Sequence, residues 1–288
     1  METFDHPDAM RSWADARRRD GRTIGLVPTM GALHEAHVAL IEEAQRRCDL
    51  AVVSIFVNPL QFNASNDFER YPRQFDDDIA TCERVGVRAV YAPTAAVMYP
   101  TGWQTRVVPG ALADVMEGEM RPGHFEGVTT VVTKLFGAVR PHVALFGQKD
   151  FQQLAIVTRM NRDLDLGVEI VGHPTIREPD GLAMSSRNLR LTSDQRLAAV
   201  CVPRSLAAAV ECATRDGATT QEVCDAARRV VEDEPLGRHE YTTVFDTDTL
   251  LQIDDLRARP RQPGTLRVAT AVWFGDVRLI DNRDLFEA

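Results

Sequence analysis

Short runs that are apolar on both faces alternate with helical periodicity through about residue 175, and this alternation leaves few folds open. The runs fall at residues 23–27, 50–57, 87–92, 142–146 and 168–174. Residues 74–85, 128–139 and 151–163 between them carry apolar residues at helical spacing. A strand that hides both faces needs a cover on each side, and separation by helices makes neighbouring strands parallel. The expected architecture is an α/β fold: a parallel sheet with helices on both faces, spanning residues 1–175. Ligands in such folds bind beyond the carboxyl ends of the strands.

The pattern changes after Thr175. Residues 193–214 and 221–232 read as helices; 241–245, 266–273 and 277–280 read as antiparallel strands, with Gly275-Asp276 as a tight hairpin turn. Residues 176–288 are therefore expected to form a smaller α+β C-terminal domain.

The first strand runs straight into PTMGALHEAH, residues 28–37, and then into a helix marked by Val38, Leu40, Ile41 and Ala44. His34 and His37 thus share a helical face at a strand-to-helix junction. Helical histidines three apart can chelate a metal, pack as structural residues, or donate to an anion. The junction favours the third use, because unpaired N–H groups and the positive end of the helix dipole meet there. The common phosphate loops, G-x-x-x-x-G-K-S/T and G-x-G-x-x-G, are absent, so a phosphate site must use other donors.

Further polar clusters fall at predicted strand ends or helix starts. NPLQF, residues 58–62, puts Gln61 after the second strand, where it reads either as a plain turn or as a donor–acceptor pair for a hydroxy acid. Asp76-Asp77-Asp78 opens a helix, as the dipole favours, or contacts magnesium. RPGHFEG, residues 121–127, is dense in polar groups for a linker. GQKD, residues 147–150, puts Lys149 after a buried strand, which is costly unless it meets an anion. In MSSRN, residues 184–188, two hydroxyls and an Arg can grip phosphate, or simply open a helix.

Composition narrows the classes. The chain has 288 residues, 44% hydrophobic and 26% charged. A net charge of −9 argues against a nucleic-acid partner. No 18-residue apolar run is present, so no membrane span is expected. Residues 1–5 lack the basic and apolar regions of a signal peptide. The five cysteines are scattered without a C-x-x-C pair and read as reduced thiols of a cytoplasmic protein.

Taken together, these segments resemble the pantoate–β-alanine ligases (AMP-forming), nucleotidyltransferases with an H-x-G-H signature. The resemblance rests on PTMGALHE-x-H, SIFVNPLQF, ERYPR, RPGHFEGVTTVV-x-KLF, FGQKDFQQL and EPDGLAMSSRN, in order from about Gly25 to Asn188. It implies ATP-dependent condensation of pantoate with β-alanine through a pantoyl adenylate, releasing pyrophosphate and AMP. It implies a Rossmann-like first domain, a smaller C-terminal domain that closes over the site, magnesium accompanying ATP, and a homodimer to which the strand at residues 50–57 and its neighbours contribute. Position by position, it assigns His34, His37, Lys149 and Arg187 to catalysis. Pro28, Thr29, Met30, Gly147, Asp150, Met184, Ser185 and Ser186 join them in ATP binding, with Asp150 near the ribose. Met30, Gln61 and Gln153 fall to pantoate, and Asp77 and Asp78 to the vicinity of the metal.

Three positions depart from the pattern. Ala36 replaces the signature glycine, Gln148 a glutamate, and Arg190 a tyrosine. A methyl at Ala36 is expected to crowd the nucleotide. That substitution also opens a second reading, a non-catalytic or altered-specificity paralogue. Intact His34, His37, Lys149 and Arg187 count against a silent site, and intact Gln61 and Gln153 against a different acid.

Overall fold

The structure, a computed structural model, describes residues 1–62 and 68–286. They divide into two compact units: Met1–Gln148 with Ile156–Pro174, and Lys149–Ala155 with Thr175–Ala288. The change at Thr175 coincides with the change of pattern in the sequence. The segment Lys149–Ala155, assigned above to the first domain, packs with the second.

The first unit is built on a parallel sheet of β1 (Glu2–Phe4), β2 (Ile24–Thr29), β3 (Leu50–Ile55), β4 (Ala89–Tyr91), β5 (Val143–Gly147) and β6 (Glu169–His173), in the order β1-β4-β3-β2-β5-β6. Helices α1 (Pro7–Arg19), α2 (Glu35–Arg47), α3 (Phe75–Arg84), α4 (His124–Val139) and α5 (Phe151–Asp163) connect or follow the strands. From β2 the chain winds one way through β3 and β4, then returns to lay β5 on the other side of β2. The reversal puts a topological switch point at the carboxyl ends of β2 and β5, where ligands of doubly wound sheets bind.

Burial explains the strand sequences. Ile24, Leu26, Val27, Val52 and Val53 are fully buried, as interior strands with two covered faces require. Each such side chain contributes about 1.5–3 kcal/mol. β3 is flanked on both sides and buried along nearly its whole length. β1 and α1 precede the first strand expected from the sequence. Three residues give β1 too little alternation to read, whereas α1 signals itself through Met10, Trp13 and Ala14 on one buried face.

The second unit carries an antiparallel sheet in the order β7 (Arg238–Asp246), β8 (Leu266–Phe274), β9 (Val277–Asp284). The β8–β9 turn is at Gly275-Asp276, as the sequence suggests. α6 (Ser193–Ala198), α7 (Cys201–Thr214) and α8 (Thr220–Glu232) belong to the same unit. Residues 193–214 are apolar enough by composition to cross a membrane, at a mean hydropathy of 1.4. They break at Ala199-Val200, and half of that window is buried inside the protein, where Leu206 and Ala209 join Val244 and Val268 in the core. Phe151 explains why Lys149–Ala155 packs here: its ring lies 4.7 Å beneath the Arg267 guanidinium and 5.8 Å from the Phe245 ring.

His142 sits at the entry to β5 and ties it to β2. Its Nδ1 accepts the Ile24 N–H at 3.0 Å, so the ring is neutral with its proton on Nε2. Burial, and next the Arg18 guanidinium, hold its pKa below the usual imidazole value. The unfolded chain therefore takes up this proton at higher pH than the fold does. The stability from this site is complete above about pH 6.5 and falls as acidification moves from there toward the folded pKa. His142→Asn, whose Oδ1 can take the same N–H, should flatten the decline in urea midpoint between about pH 7.5 and 5.5, the range that brackets the unperturbed imidazole. An unchanged slope would place the titration elsewhere.

Candidate active site

The turn after β2 is held by a hydroxyl and a buried carboxylate. Thr29 Oγ1 donates to the Ser54 carbonyl (2.7 Å) and accepts the Gly31 N–H (3.1 Å). Gly31 has φ +80, and a Cβ there would lie 2.8 Å from Asp78 Oδ2. Only glycine suits that position. Ala32 follows with φ +51, a left-handed conformation that costs a non-glycine residue about 1–3 kcal/mol. The compensation comes from α3. Asp78 Oδ2 accepts the Ala32 N–H at 3.0 Å and Oδ1 accepts the Leu33 N–H at 2.7 Å. Charge-assisted bonds of this kind are worth about 1.5–3 kcal/mol each. Burial pushes the Asp78 carboxyl up, and the two backbone bonds pull the other way.

The turn delivers His34 and His37 to the start of α2. His34 is the N-cap, in extended conformation, and its N–H donates to His37 Nδ1 at 3.2 Å. An imidazole nitrogen that accepts carries no proton, so neutral His37 holds its proton on Nε2. The two rings stand 4.2 Å apart, tilted by 41°. Ala36 is the second helical residue and half-buried. Pro28 and Thr29 end β2, and half-buried Met30 opens the turn.

Gln61 stands at the carboxyl end of the neighbouring strand, β3, in a single helical turn at Pro59–Gln61. Its Oε1 accepts from Asn58 Nδ2 at 2.9 Å. Asn58 also donates to the Gly127 carbonyl and accepts from the Tyr99 hydroxyl at 2.8 Å. The Gln61 carbonyl accepts from Arg121 Nη2 (2.9 Å) and His124 Nδ1 (2.8 Å), which puts the His124 proton on Nδ1. Gly127 lets α4 touch this turn, since a Cβ there would come within 2.4 Å of the Leu60 carbonyl oxygen. Asn58, Tyr99, Arg121 and His124 are supports to which the sequence alone assigns no role. The crowding of polar groups in residues 121–127 is the signal of their task.

The second unit holds the remaining candidates. Lys149 and Asp150 follow β5, which ends at Gly147, in one turn, with Lys149 Nζ 3.7 Å from Asp150 Oδ2. Gln153 lies half-buried in the first turn of α5. Residues 176–184 form a small hairpin, joined by Met184 N–H to the Ile176 carbonyl and Glu178 N–H to the Leu182 carbonyl. Its end carries Met184, Ser185, Ser186 and Arg187. Ser185 caps the turn Ser186–Arg190 by accepting the Arg187 N–H, and Asn188 bonds back to Glu178 and the Ala183 carbonyl. The sequence candidates thus gather into two sets: Met30, His34, His37 and Gln61 beside adjacent strand ends of the first unit, and Lys149, Asp150, Gln153 with Met184–Arg187 in the second.

Of the acidic pair suggested for magnesium, only Asp78 is engaged by the turn. Both Asp78 oxygens hold the turn, while Asp77 is exposed on α3. Among the described residues no group of three or more His, Cys, Asp or Glu side chains is placed to hold a metal.

Asp78→Asn tests the clamp. An amide can accept from only one of the two N–H groups and brings a second donor against the other, leaving a buried donor unsatisfied at about 1–3 kcal/mol. Amide exchange at Ala32 or Leu33 should accelerate about tenfold or more, by about 1.4 kcal/mol per decade. Unaltered protection would show that the turn is held by Thr29 and Ser54 alone.

Comparison with known proteins places the chain in a family. The family model described as pantoate-beta-alanine ligase matches residues 2–284. Pantothenate synthetases from Rhodopirellula baltica and Myxococcus xanthus are 48% and 47% identical, covering 100% and 96% of this chain and 100% and 93% of their own. The crystal structure of pantothenate synthetase from Thermus thermophilus superposes with a TM-score of 0.91 at 41% identity, over 100% of both chains. The ligase from Francisella tularensis, complexed with beta-gamma ATP and beta-alanine, gives 0.82 at 31%, over 100% of this chain and 99% of its own. The His34–His37 turn, the Gln61 turn, the Lys149 turn and the Ser185–Arg187 segment therefore lie in a chain that belongs to the pantoate–β-alanine ligase family.

Proposed function

We propose that the chain joins pantoate to β-alanine in two steps. In the first, a pantoate carboxylate oxygen attacks the α-phosphorus of ATP, the bond to the α–β bridging oxygen breaks, and pantoyl adenylate and pyrophosphate form. In the second, the β-alanine amine attacks the acyl carbon and AMP leaves with the former carboxylate oxygen. The observation that carries this reading is the turn opening α2: two imidazoles at the positive end of a helix, one with a fixed tautomer, within a family match spanning residues 2–284. The Francisella complex with a nucleotide and β-alanine supports ATP and β-alanine as substrates.

The chemistry brings two anions together, so its main demand is charge stabilisation and orientation rather than a covalent intermediate. His34 and His37 donate to the ATP phosphates, and Pro28, Thr29, Met30 and Gly147 contact the nucleotide. Lys149 bridges the phosphates and the pantoate carboxylate, strengthening its hold as the carboxylate oxygen closes on phosphorus. Met184, Ser185, Ser186 and Arg187 take the phosphate side and Asp150 the ribose. Gln61, with Oε1 committed to Asn58, presents Nε2 to pantoate, alongside Met30 and Gln153. Magnesium belongs in this reading to ATP, since it prefers substrate phosphates and water to protein cages. Family resemblance supports a homodimer, and five free thiols support a cytoplasmic setting.

Pantoate-dependent exchange of labelled pyrophosphate into ATP tests the reading, and release of pyrophosphate with another acid but none with pantoate would overturn it. In that assay Lys149→Ala should lower turnover by about 10² or more, about 2.7 kcal/mol, comparable to losing one oxyanion donor. Near-normal turnover would make Lys149 a structural residue.

Ala36 sets a second expectation. If its methyl crowds the nucleotide, Ala36→Gly should lower the ATP KM, tenfold for each ~1.4 kcal/mol relieved, within the roughly 1–3 kcal/mol that one excess methyl costs. The pantoate KM should stay put. An unchanged or raised ATP KM would mean that the helix start already accommodates the methyl, with alanine adding up to about 1 kcal/mol of helix propensity.

A further inference from the structure

The last strand, β9, carries a run of buried polar residues that the two-step reaction does not use. Asp281, Asn282 and Asp284 are 2%, 4% and 4% exposed. Buried polar side chains are costly unless they satisfy other groups, so their partners show their use. Asn282 Nδ2 donates to the Lys149 carbonyl at 2.8 Å. Its Oδ1 accepts from Arg267 Nε at 2.8 Å, and Arg267 in turn covers the ring of Phe151, two residues beyond Lys149. The Asn282 N–H donates to Asp281 Oδ1, also at 2.8 Å. Asp281 accepts from Arg177 Nη1 and Nη2, at 2.6 and 3.1 Å. Arg177 stands in the hairpin that ends in Met184–Arg187 and donates to the Gly181 carbonyl within it.

We propose that Asn282 is a positioning residue for Lys149, and that the chain Arg177–Asp281–Asn282–Arg267 fixes the Lys149 turn and the Ser185–Arg187 segment to one common strand. Deepening the ligase reading, the proposal rests on Lys149 acting there. The reason for such a device lies in the lysine itself. Its ammonium sits on a flexible four-carbon stem, so the accuracy of the charge depends on where the main chain begins that stem. A misplacement of about 1 Å can cost 10²-fold in rate. An asparagine suits the task, because its amide offers Lys149 a donor from one atom and Arg267 an acceptor from another. The Asp281–Arg177 pair is bidentate and buried at its acidic end, which gives it direction as well as strength.

Asn282→Asp is the discriminating variant. It keeps the size of the side chain and the acceptor for Arg267 but withdraws the donor from the Lys149 carbonyl. Expected are a turnover about tenfold lower in pantoate-dependent pyrophosphate exchange, smaller changes in both KM values, and no further loss when Asn282→Asp is placed on Lys149→Ala. A residue acting through the ammonium has nothing left to act through once that ammonium is gone, whereas general damage to the unit would persist. Amide exchange over residues 151–155 should accelerate in Asn282→Asp, and this reads the anchor without any reaction. Wild-type turnover in the variant, an undiminished loss in the Lys149→Ala background, or unaltered amide exchange would each overturn the proposal. A wild-type protein without pantoate-dependent exchange, yet with faster amide exchange in the variant, would instead remove the ligase reading and leave the anchor standing.

Discussion

The constraint on which the first unit depends is that β2 is an interior strand with both faces covered. Such a strand spends its whole sequence on burial, so it can hold no functional group until it ends. Where it ends, the chain must turn at once into α2, and the turn exposes N–H groups with no ladder partner. Thr29 takes one of them and Asp78 two more, on a turn containing left-handed Gly31 and Ala32. The favourable bonds to a buried carboxylate outweigh the backbone strain. A strained turn held from behind is what brings two imidazoles to a helix start with little freedom to wander.

The same construction recurs at the other candidates. Gln61 is held through its carbonyl by Arg121 and His124, and Lys149 through its carbonyl by Asn282. In each case a polar side chain from a distant part of the chain grips the backbone, although Gln61 is also held through its Oε1 by nearby Asn58. Gripping the backbone fixes the origin of the side chain and leaves its donors, such as Gln61 Nε2 and Lys149 Nζ, for the proposed ligands. The arrangement also explains why a carboxylate can sit beside the proposed anion site. Asp78 is engaged by backbone donors, and its burial directs its interactions inward.

Much of this is legible in the sequence, and what is not has a physical cause. Strand runs buried on both faces, and helices with one apolar face, appear directly in the order of residues. β9 extends beyond its apolar run because its second half is built from buried polar groups, which no hydrophobic pattern marks. Asp78 resembles half of an acidic pair for a metal because helix starts favour aspartate whether or not a ligand is near. Nothing local distinguishes it from Asp77; only the fold shows that one points inward to the β2 turn and the other into water. By sequence, Lys149–Ala155 belongs with the sheet, since it continues from β5 into a regular helix. The packing of Phe151 under Arg267 links residues far apart in the chain, a separation that no periodicity carries.

The net charge of −9 sets the scale on which such a site must work. ATP, pantoate and the protein are all anionic, so the field of the whole chain opposes binding. At physiological salt that field fades over about 8 Å, while a donor at hydrogen-bond distance in a partly dry turn is screened far less. Local placement therefore outweighs net charge, and few cations suffice if each is held accurately. In the proposed reaction Lys149 is then a stronger lever than its single charge implies. Its contribution scales with the rigidity of the turn beneath it, and the deeply buried Asn282 ties that turn to strand β9.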